Sequence, residues 1–230
     1  MFTLDQVVLW GRSFDEYRRM FAISEADLSR RILGCADGPA SFNAELSARG
    51  GNRTGNVVSC DPMYRFSKAE LRGRIGDSLR LVLEQTRRNA AEFVWNADIP
   101  DIDALGRLRM AAMERFLDDY ALGREERRYI NAELPSLPFG DDAFDLAVCS
   151  HFLFLYSAQF PADFHVAAVA ELCRVARDVR IFPLLELGSI RSRHVDAVVE
   201  GLREGGFRVG IETVDYEFQR GGNQMLRIER

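Results

Sequence analysis

The order of elements in the first third of the chain constrains its fold more than any other feature. Residues 31–35 form an apolar run typical of a short strand, and a turn of small residues that ends at Gly38 follows them. A helical segment at 40–49 and a second strand at 56–60 come next, and Asp61 ends that strand. Strands that alternate with helices predict right-handed βαβ units and a mostly parallel sheet.

The alternation of strands and helices resumes in the second half of the chain. We predict strands at 129–132, 144–150 and 179–185, helices at 164–176 and 194–204, and two last strands within 207–218 and 224–228, which flank Arg220–Asn223 as a β-hairpin. The fold class expected is α/β: a Rossmann-like three-layer sandwich with a mostly parallel sheet and an antiparallel C-terminal hairpin.

The remaining segments are predicted to be helical. The stretch 65–128 is too long for an ordinary crossover, so we interpret it as a helical insertion. Ser67–Glu70 has the pattern of a capping box, and Asp101 or Asp103 precedes a second amphipathic run. Residues 1–30 are expected to form a helical cap on a single domain that spans residues 1–230.

Composition narrows the function classes. Hydrophobic residues make up 47% of the chain, enough for a substantial core. The net charge of −5, without a block of basic residues, argues against a nucleic-acid partner. No apolar stretch approaches the ~18 residues of a spanning helix, and no signal peptide is visible, so we expect no membrane partner. The four cysteines have no CxxC spacing, which favours a reducing, cytoplasmic location.

The turn after the first strand has the chemistry of a ligand site. Gly34, Cys35, Ala36, Asp37 and Gly38 are small enough, on the whole, to let the backbone turn tightly and approach a ligand. The helix that follows presents free N–H groups and a partial positive charge at its start. A tight strand–helix turn without any ligand remains the alternative.

Polar residues also follow the second and third strands. Asp61 is positioned to accept hydrogen bonds from ribose hydroxyls, although an Asp before Pro62 is also typical of a simple turn. Within Asn131-Ala132-Glu133, a polar group after the third strand could contact an adenine amino group; a surface loop is the alternative. The ordered combination of turn, helix, strand and acid is more specific than any of its parts.

These segments together resemble the class I S-adenosylmethionine-dependent methyltransferases. The similar segments are Leu33–Gly38 (the glycine-rich first motif), Val58–Asp61 (the ribose-binding acid), Leu137–Phe139 with Phe144–His151 (the fourth-strand segment) and Glu171–Ala176 (the helix before the fifth strand). The resemblance implies S-adenosylmethionine as cofactor and a seven-stranded sheet whose last strand is antiparallel. It implies that the cofactor contacts Gly34, Cys35, Ala36, Asp37, Gly38, Asp61, Pro62, Asn131, Ala132, Glu133 and Ser150.

The chain departs from the family pattern at several positions. Ala36 replaces the usual middle glycine, and Ile32 stands where an acid often contacts the methionine amino group, a contact for which Asp37 could compensate. Both Asn131 and Glu133 are candidates for the adenine contact. The loop before the fifth strand is expected to be shortened to 176–178.

Catalytic residues are harder to infer, because methyl transfer depends mainly on alignment and needs a base only when the acceptor must lose a proton. His151 is the candidate base, since it directly follows the fourth strand; a capping or packing role is the alternative. Phe152, Phe154 and Tyr156 could line an acceptor pocket, although aromatic residues at this spacing are more often core.

The leading prediction is therefore a methyltransferase that acts on a small-molecule acceptor. A nicotinamide-dependent oxidoreductase is disfavoured, because Pro39 stands where GxGxxG requires its third glycine. A non-catalytic cofactor-binding or interaction protein remains open. Cys35, Cys60 and Cys149 with His151 raise a metal site as a further alternative, but no close pair of ligands exists, so no metal is expected.

Overall fold

Strands and helices alternate along most of the chain. The structure is a computed structural model that describes residues 1–4, 7–50 and 56–230. The elements are α1 (Phe14–Met20), β1 (Ile32–Cys35), α2 (Phe42–Ala48), β2 (Val57–Cys60), α3 (Lys68–Arg88), α4 (Ile102–Glu125), β3 (Tyr129–Ile130), β4 (Phe144–Ser150), α5 (Ala162–Val175), β5 (Ala176–Phe182), α6 (Val195–Glu204), β6 (Arg208–Thr213) and β7 (Gln224–Glu229). Short 3-10 helices lie between several of them.

The seven strands form one sheet in the order β3-β2-β1-β4-β5-β7-β6. The pairs from β3 to β5 are parallel, and β7 runs antiparallel to both β5 and β6. The predicted α/β fold, with its mostly parallel seven-stranded sheet and antiparallel C-terminal strands, is confirmed. The direction of winding reverses between β1 and β4, and such a switch point opens a crevice at the carboxyl ends of the strands.

Both faces of the central strands are covered, which gives the structure three layers. Leu33 and Ala147 face one core, which includes apolar residues of α5 and α6. Ile32 and Leu146 face the other core, which includes apolar residues of α1 and α2. Parallel strands that are buried on both faces consist of near-continuous apolar runs. The strand β1 fits this pattern, because all four of its residues are buried.

The long helices α3 and α4 lie within the stretch 65–128. The Ser67–Glu70 capping box is confirmed: Ser67 Oγ accepts from the Glu70 N–H at 3.3 Å, and Glu70 Oε2 accepts from the Ser67 N–H at 2.8 Å. Asp101 caps α4 by accepting from the Ala104 N–H at 2.6 Å. Among the described residues, no helix is both long and apolar enough to cross a membrane.

Two connections differ from the prediction. Residues 176–178 are not a shortened loop but the start of β5, because Ala176 leaves the helical conformation directly after Val175. The last two strands pair antiparallel, as the predicted hairpin requires, but β6 already ends at Thr213 instead of extending to 218. The connection 214–223 is long because its apolar residues Val214, Tyr216 and Phe218 are buried in the core that includes residues of α1 and α2.

Candidate functional site

The turn after β1 has a constrained backbone. Ala36 (φ 51°) and Gly38 (φ 56°) are both in the left-handed region, which glycine adopts without steric cost and alanine does not. A Cβ atom on Gly34 would lie 2.4 Å from Asp37 Oδ2. Gly34 therefore makes room for the carboxylate of Asp37.

Asp37 fixes this turn to two neighbouring elements. Its Oδ1 accepts a 2.5 Å hydrogen bond from the Tyr17 hydroxyl on α1, and its Oδ2 accepts a 2.5 Å bond from the Ser59 hydroxyl on β2. Burial raises the pKa of Asp37 above its usual value, although both hydrogen bonds oppose that shift. The carboxylate thus holds α1, the turn and β2 together beneath the crevice.

Asp61 stands at the end of β2 and joins it to the same turn. Its Oδ1 accepts from the Met63 N–H at 2.8 Å, which caps the short helix Pro62–Arg65, and its Oδ2 accepts from the Gly38 N–H at 3.0 Å. Burial raises the pKa of Asp61 to about 6, with these two bonds opposing the shift. A carboxylate has about four lone-pair sites, so Asp61 can still accept hydroxyl donors.

The segment after β3 separates the two adenine-contact candidates. Ala132 and Glu133 line the cavity beside Asp61, whereas Asn131 is exposed to solvent outside it. Of the two candidates, Glu133 is thus the one that a ligand in the cavity could reach.

Ser150 and His151 lie at the carboxyl end of β4. The Ser150 hydroxyl and His151 Nδ1 are 2.9 Å apart, and the His151 N–H donates to the Phe182 carbonyl at 2.6 Å. His151 has a φ of 51°, which turns the chain out of the strand. Burial, followed by the charges of Arg12 and Arg109, lowers the pKa of His151 well below its usual value. The imidazole is therefore neutral at physiological pH.

These strand ends open onto a cavity of about 460 Å³, within the range of small-molecule sites. Nine of the residues predicted for the site line it: Ala36, Asp37, Gly38, Asp61, Pro62, Ala132, Glu133, Ser150 and His151. Gly34, Cys35 and Asn131 do not line it. Cys35 is instead buried in the same core as Leu33.

Apart from Phe152 and Tyr156, the rest of the wall comes from residues that the sequence did not mark. Apolar residues dominate it: Phe2, Leu4, Val7, Val8, Leu9, Trp10, Val82, Phe93, Leu134, Phe152, Leu155, Tyr156, Phe160, Phe164, Leu187 and Phe218. Phe152 and Tyr156 thus line the cavity, whereas Phe154 is buried in the core. Arg12, Tyr17 and Glu92 add polar groups from the N-terminal region and the insertion. No motif surrounds these positions, so only tertiary contacts reveal them.

The three cysteines considered as metal ligands stand side by side across the sheet, since Cys35 pairs in register with Cys60 and with Cys149. All three are buried free thiols. Burial raises the pKa of Cys149 to about 12. In the part of the chain that the structure describes, no group of three or more His, Cys, Asp or Glu side chains is arranged to hold a metal ion.

Comparison with known proteins places the chain in a family. No protein-family model matches it. The uncharacterized protein MJ0045 of Methanocaldococcus jannaschii is 35% identical over 229 residues, which are 99% of this chain and 98% of that protein. The chain belongs to the MJ0045 family. The match covers nearly all of both chains, so it includes the N-terminal segment and the insertion as well as the sheet.

Among the solved structures to which this chain is similar are two methyltransferases. Magnesium protoporphyrin IX methyltransferase of Synechocystis PCC 6803, with bound S-adenosylmethionine, aligns over 90% of this chain and 73% of its own, with 12% identity and a TM-score of 0.42. A methyltransferase of Aquifex aeolicus, dependent on the same cofactor, aligns over 93% and 90%, with 13% identity and a TM-score of 0.39. These likenesses are distant, and the strand order itself establishes the fold.

Proposed function

We propose that this protein binds S-adenosylmethionine at the carboxyl ends of β1 and β2 and transfers its methyl group to a small-molecule acceptor. One observation carries the proposal. Asp61 and the turn Ala36–Gly38 are joined by a hydrogen bond and line the same cavity, at the switch point where a doubly wound sheet binds its ligands.

The residues in this part of the cavity fit the cofactor's chemistry. Asp61 keeps free lone pairs for ribose hydroxyls, and Glu133 can accept from an adenine amino group. Ala36 and Gly38 present a backbone with little side-chain bulk, and Asp37 holds that turn through its bonds with Tyr17 and Ser59. When bound, the cofactor supplies an electrophilic methyl group on a sulfonium centre.

Other residues of the cavity suit an acceptor. Phe152, Phe160 and Phe164 form an apolar wall, which excludes water and positions an apolar body. His151 lines the cavity, so its imidazole can take a proton from an acceptor hydroxyl or amine, and its lowered pKa makes it a weak base for that step. An acceptor that has no proton to lose requires only alignment.

Isothermal titration calorimetry with S-adenosylmethionine, S-adenosylhomocysteine and NAD tests the cofactor. We expect both adenosyl ligands to bind and Asp61→Ala to weaken them at least tenfold, because the ribose acceptor is lost. Asp118→Ala is the matched control, since its carboxylate is exposed on the insertion and pairs only loosely with Lys68 at 3.5 Å. Binding of NAD alone would contradict the proposal and favour an oxidoreductase.

Turnover separates an enzyme from a non-catalytic binding protein. The protein is incubated with methyl-labelled S-adenosylmethionine and fractionated small molecules, and both S-adenosylhomocysteine and labelled product are measured. Stoichiometric appearance of the two supports a methyltransferase. Tight cofactor binding without methyl transfer to any fraction would favour the non-catalytic alternative.

A further inference from the structure

Arg12 is a buried cation in the wall of the cavity. Arg12 is 5% exposed and lines the cavity together with other residues of the N-terminal segment. The Arg12 carbonyl accepts from the Ser41 N–H at 3.0 Å, which anchors the backbone at the start of α2. The guanidinium donates through Nη1 to the Trp10 carbonyl at a long 3.4 Å, and Nε has no hydrogen-bond partner among the described residues.

The charges around Arg12 do not balance. Its neighbour Arg109 is fully buried, and Nη1 of Arg109 donates to both carboxylate oxygens of Glu16 at 2.6 Å. The same carboxylate also accepts from the Tyr216 hydroxyl at 2.9 Å and from the Ser13 N–H at 2.9 Å. One carboxylate, already saturated with donors, therefore faces two buried guanidinium groups.

No other acid in the described residues pairs with Arg12. The cavity acids Asp37 and Asp61 accept hydrogen bonds from other groups, and Glu92 accepts from the Phe2 N–H at 3.0 Å. Burial and the charge of Arg109 lower the pKa of Arg12, while Tyr216 and Glu16 oppose that shift. A buried, incompletely bonded cation is costly, and an anionic ligand would offset the cost.

We propose that Arg12 binds a carboxylate of the ligand that fills this cavity. The guanidinium fork matches the two oxygens of a carboxylate, and burial makes such a charge-assisted bond stronger than it is in water. The choice of this ligand rests on the proposed function, because both possible sources of the carboxylate are ligands of the proposed methyltransferase. Two sources share this chemistry: the amino-acid end of S-adenosylmethionine, or an acceptor that is itself a carboxylic acid.

The decisive variant is Arg12→Met, which keeps the length and apolar stem of the side chain and removes its charge. Because it also relieves repulsion with Arg109, we expect it to fold, which a urea titration checks. Arg12→Lys retains the charge without the fork. Arg72→Met is the control, since Arg72 is exposed on α3 and pairs with Glu114.

Titrations of three probes identify the source. S-Adenosylhomocysteine has the amino-acid end, 5′-methylthioadenosine lacks it, and benzoate represents a carboxylate acceptor, with benzamide as its neutral control. If Arg12 binds the cofactor's carboxylate, Arg12→Met weakens S-adenosylhomocysteine at least tenfold and leaves 5′-methylthioadenosine unchanged. If it binds the acceptor, S-adenosylhomocysteine is unaffected and the preference for benzoate over benzamide disappears.

The inference is overturned if Arg12→Met changes neither the affinity for S-adenosylhomocysteine nor the preference for benzoate over benzamide. Failure of the proposed function has a different signature, in which the wild-type protein binds neither adenosyl probe. The benzoate titration without any adenosyl ligand still tests Arg12 in that case.

Discussion

The hydroxyl of Tyr17 donates a 2.5 Å hydrogen bond to Oδ1 of Asp37, which connects α1 to the turn after β1. The network continues inward, because Ser59 donates to Asp37 and the Asn43 side-chain amide donates to Ser59 Oγ at 3.1 Å. Arg128 then donates to Asn43 Oδ1 at 2.9 Å. Buried groups that satisfy one another in this way rigidify their surroundings, so the floor of the cavity is held in one conformation.

Tyr17→Phe is expected to lower the free energy of unfolding by about 1–3 kcal/mol, since it leaves a buried carboxylate oxygen without its donor. Urea denaturation measures the change. Tyr156→Phe is the matched control, because the Tyr156 hydroxyl accepts only a 3.3 Å bond from the Val8 N–H. Equal losses in the two variants would show that the Asp37 contact has no special role.

Gly34→Ala is expected to destabilise the protein by about 1–3 kcal/mol, the usual cost of overpacking a filled interior. The new Cβ would lie within 2.6 Å of three Asp37 carboxylate atoms, so the carboxylate must move from Tyr17 and Ser59. Gly73→Ala is the control in α3, where a Cβ atom meets nothing within 4 Å. We expect that control to stabilise the protein by up to about 1 kcal/mol, through helix propensity. A neutral Gly34→Ala variant would contradict this account.

Local sequence signals predicted the sheet well, because strand periodicity and helix caps depend on neighbouring residues. Ser67 and Asp101 begin their helices as the capping pattern requires. The connection between β6 and β7 agrees with the prediction only in part. The turn at Gly221 and Gly222 is present, since the Gly222 N–H donates to the Gln219 carbonyl at 2.7 Å, but β6 ends earlier, at Thr213, because Tyr216 and Phe218 are buried.

In the candidate site too, some residues are predictable from the local sequence, and others reach the cavity only through the tertiary fold. Asp61 follows its strand directly, so the sequence order places it at the cavity. Arg12 and Tyr17 reach the cavity only because the N-terminal segment folds back over the sheet, and no spacing in the chain encodes that path. The partner of Asp37 was therefore beyond prediction, although Asp37 itself was not.

Cofactor affinity is expected to depend on pH through Asp61. Only the ionised carboxylate accepts both ribose hydroxyls, and the pKa of about 6 means that this form is lost as the pH falls below 6. The affinity for S-adenosylhomocysteine should then fall by up to about tenfold per pH unit between pH 6 and pH 5, which calorimetry can follow. Asp61→Asn should abolish the dependence, whereas Glu133→Gln should retain it. A flat profile in the wild type would refute the assignment.

The buried pair of Glu16 and Arg109 is expected to control acid stability. Burial alone would raise the pKa of Glu16, but the charges of Arg109 and Arg12 and the hydrogen bonds to Glu16 outweigh it and hold the pKa at about 2, below the ordinary 4.5. A carboxylate whose pKa is lowered by folding stabilises the folded state above the unfolded pKa. That stability is lost as the pH falls from about 4.5 toward 2, by about 3 kcal/mol in total.

Denaturation of Glu16→Gln at several pH values tests this sign. At pH 7 the variant should be less stable by about 3–5 kcal/mol, because Arg109 is left as an uncompensated buried charge. Between pH 5 and pH 2 it should lose less stability than the wild type, since the titrating group is gone. Glu25→Gln provides the control: its carboxylate is 78% exposed and pairs with Arg18 at the surface, where ion pairs contribute little. Parallel acid profiles for wild type and Glu16→Gln would assign the acid sensitivity to other carboxylates.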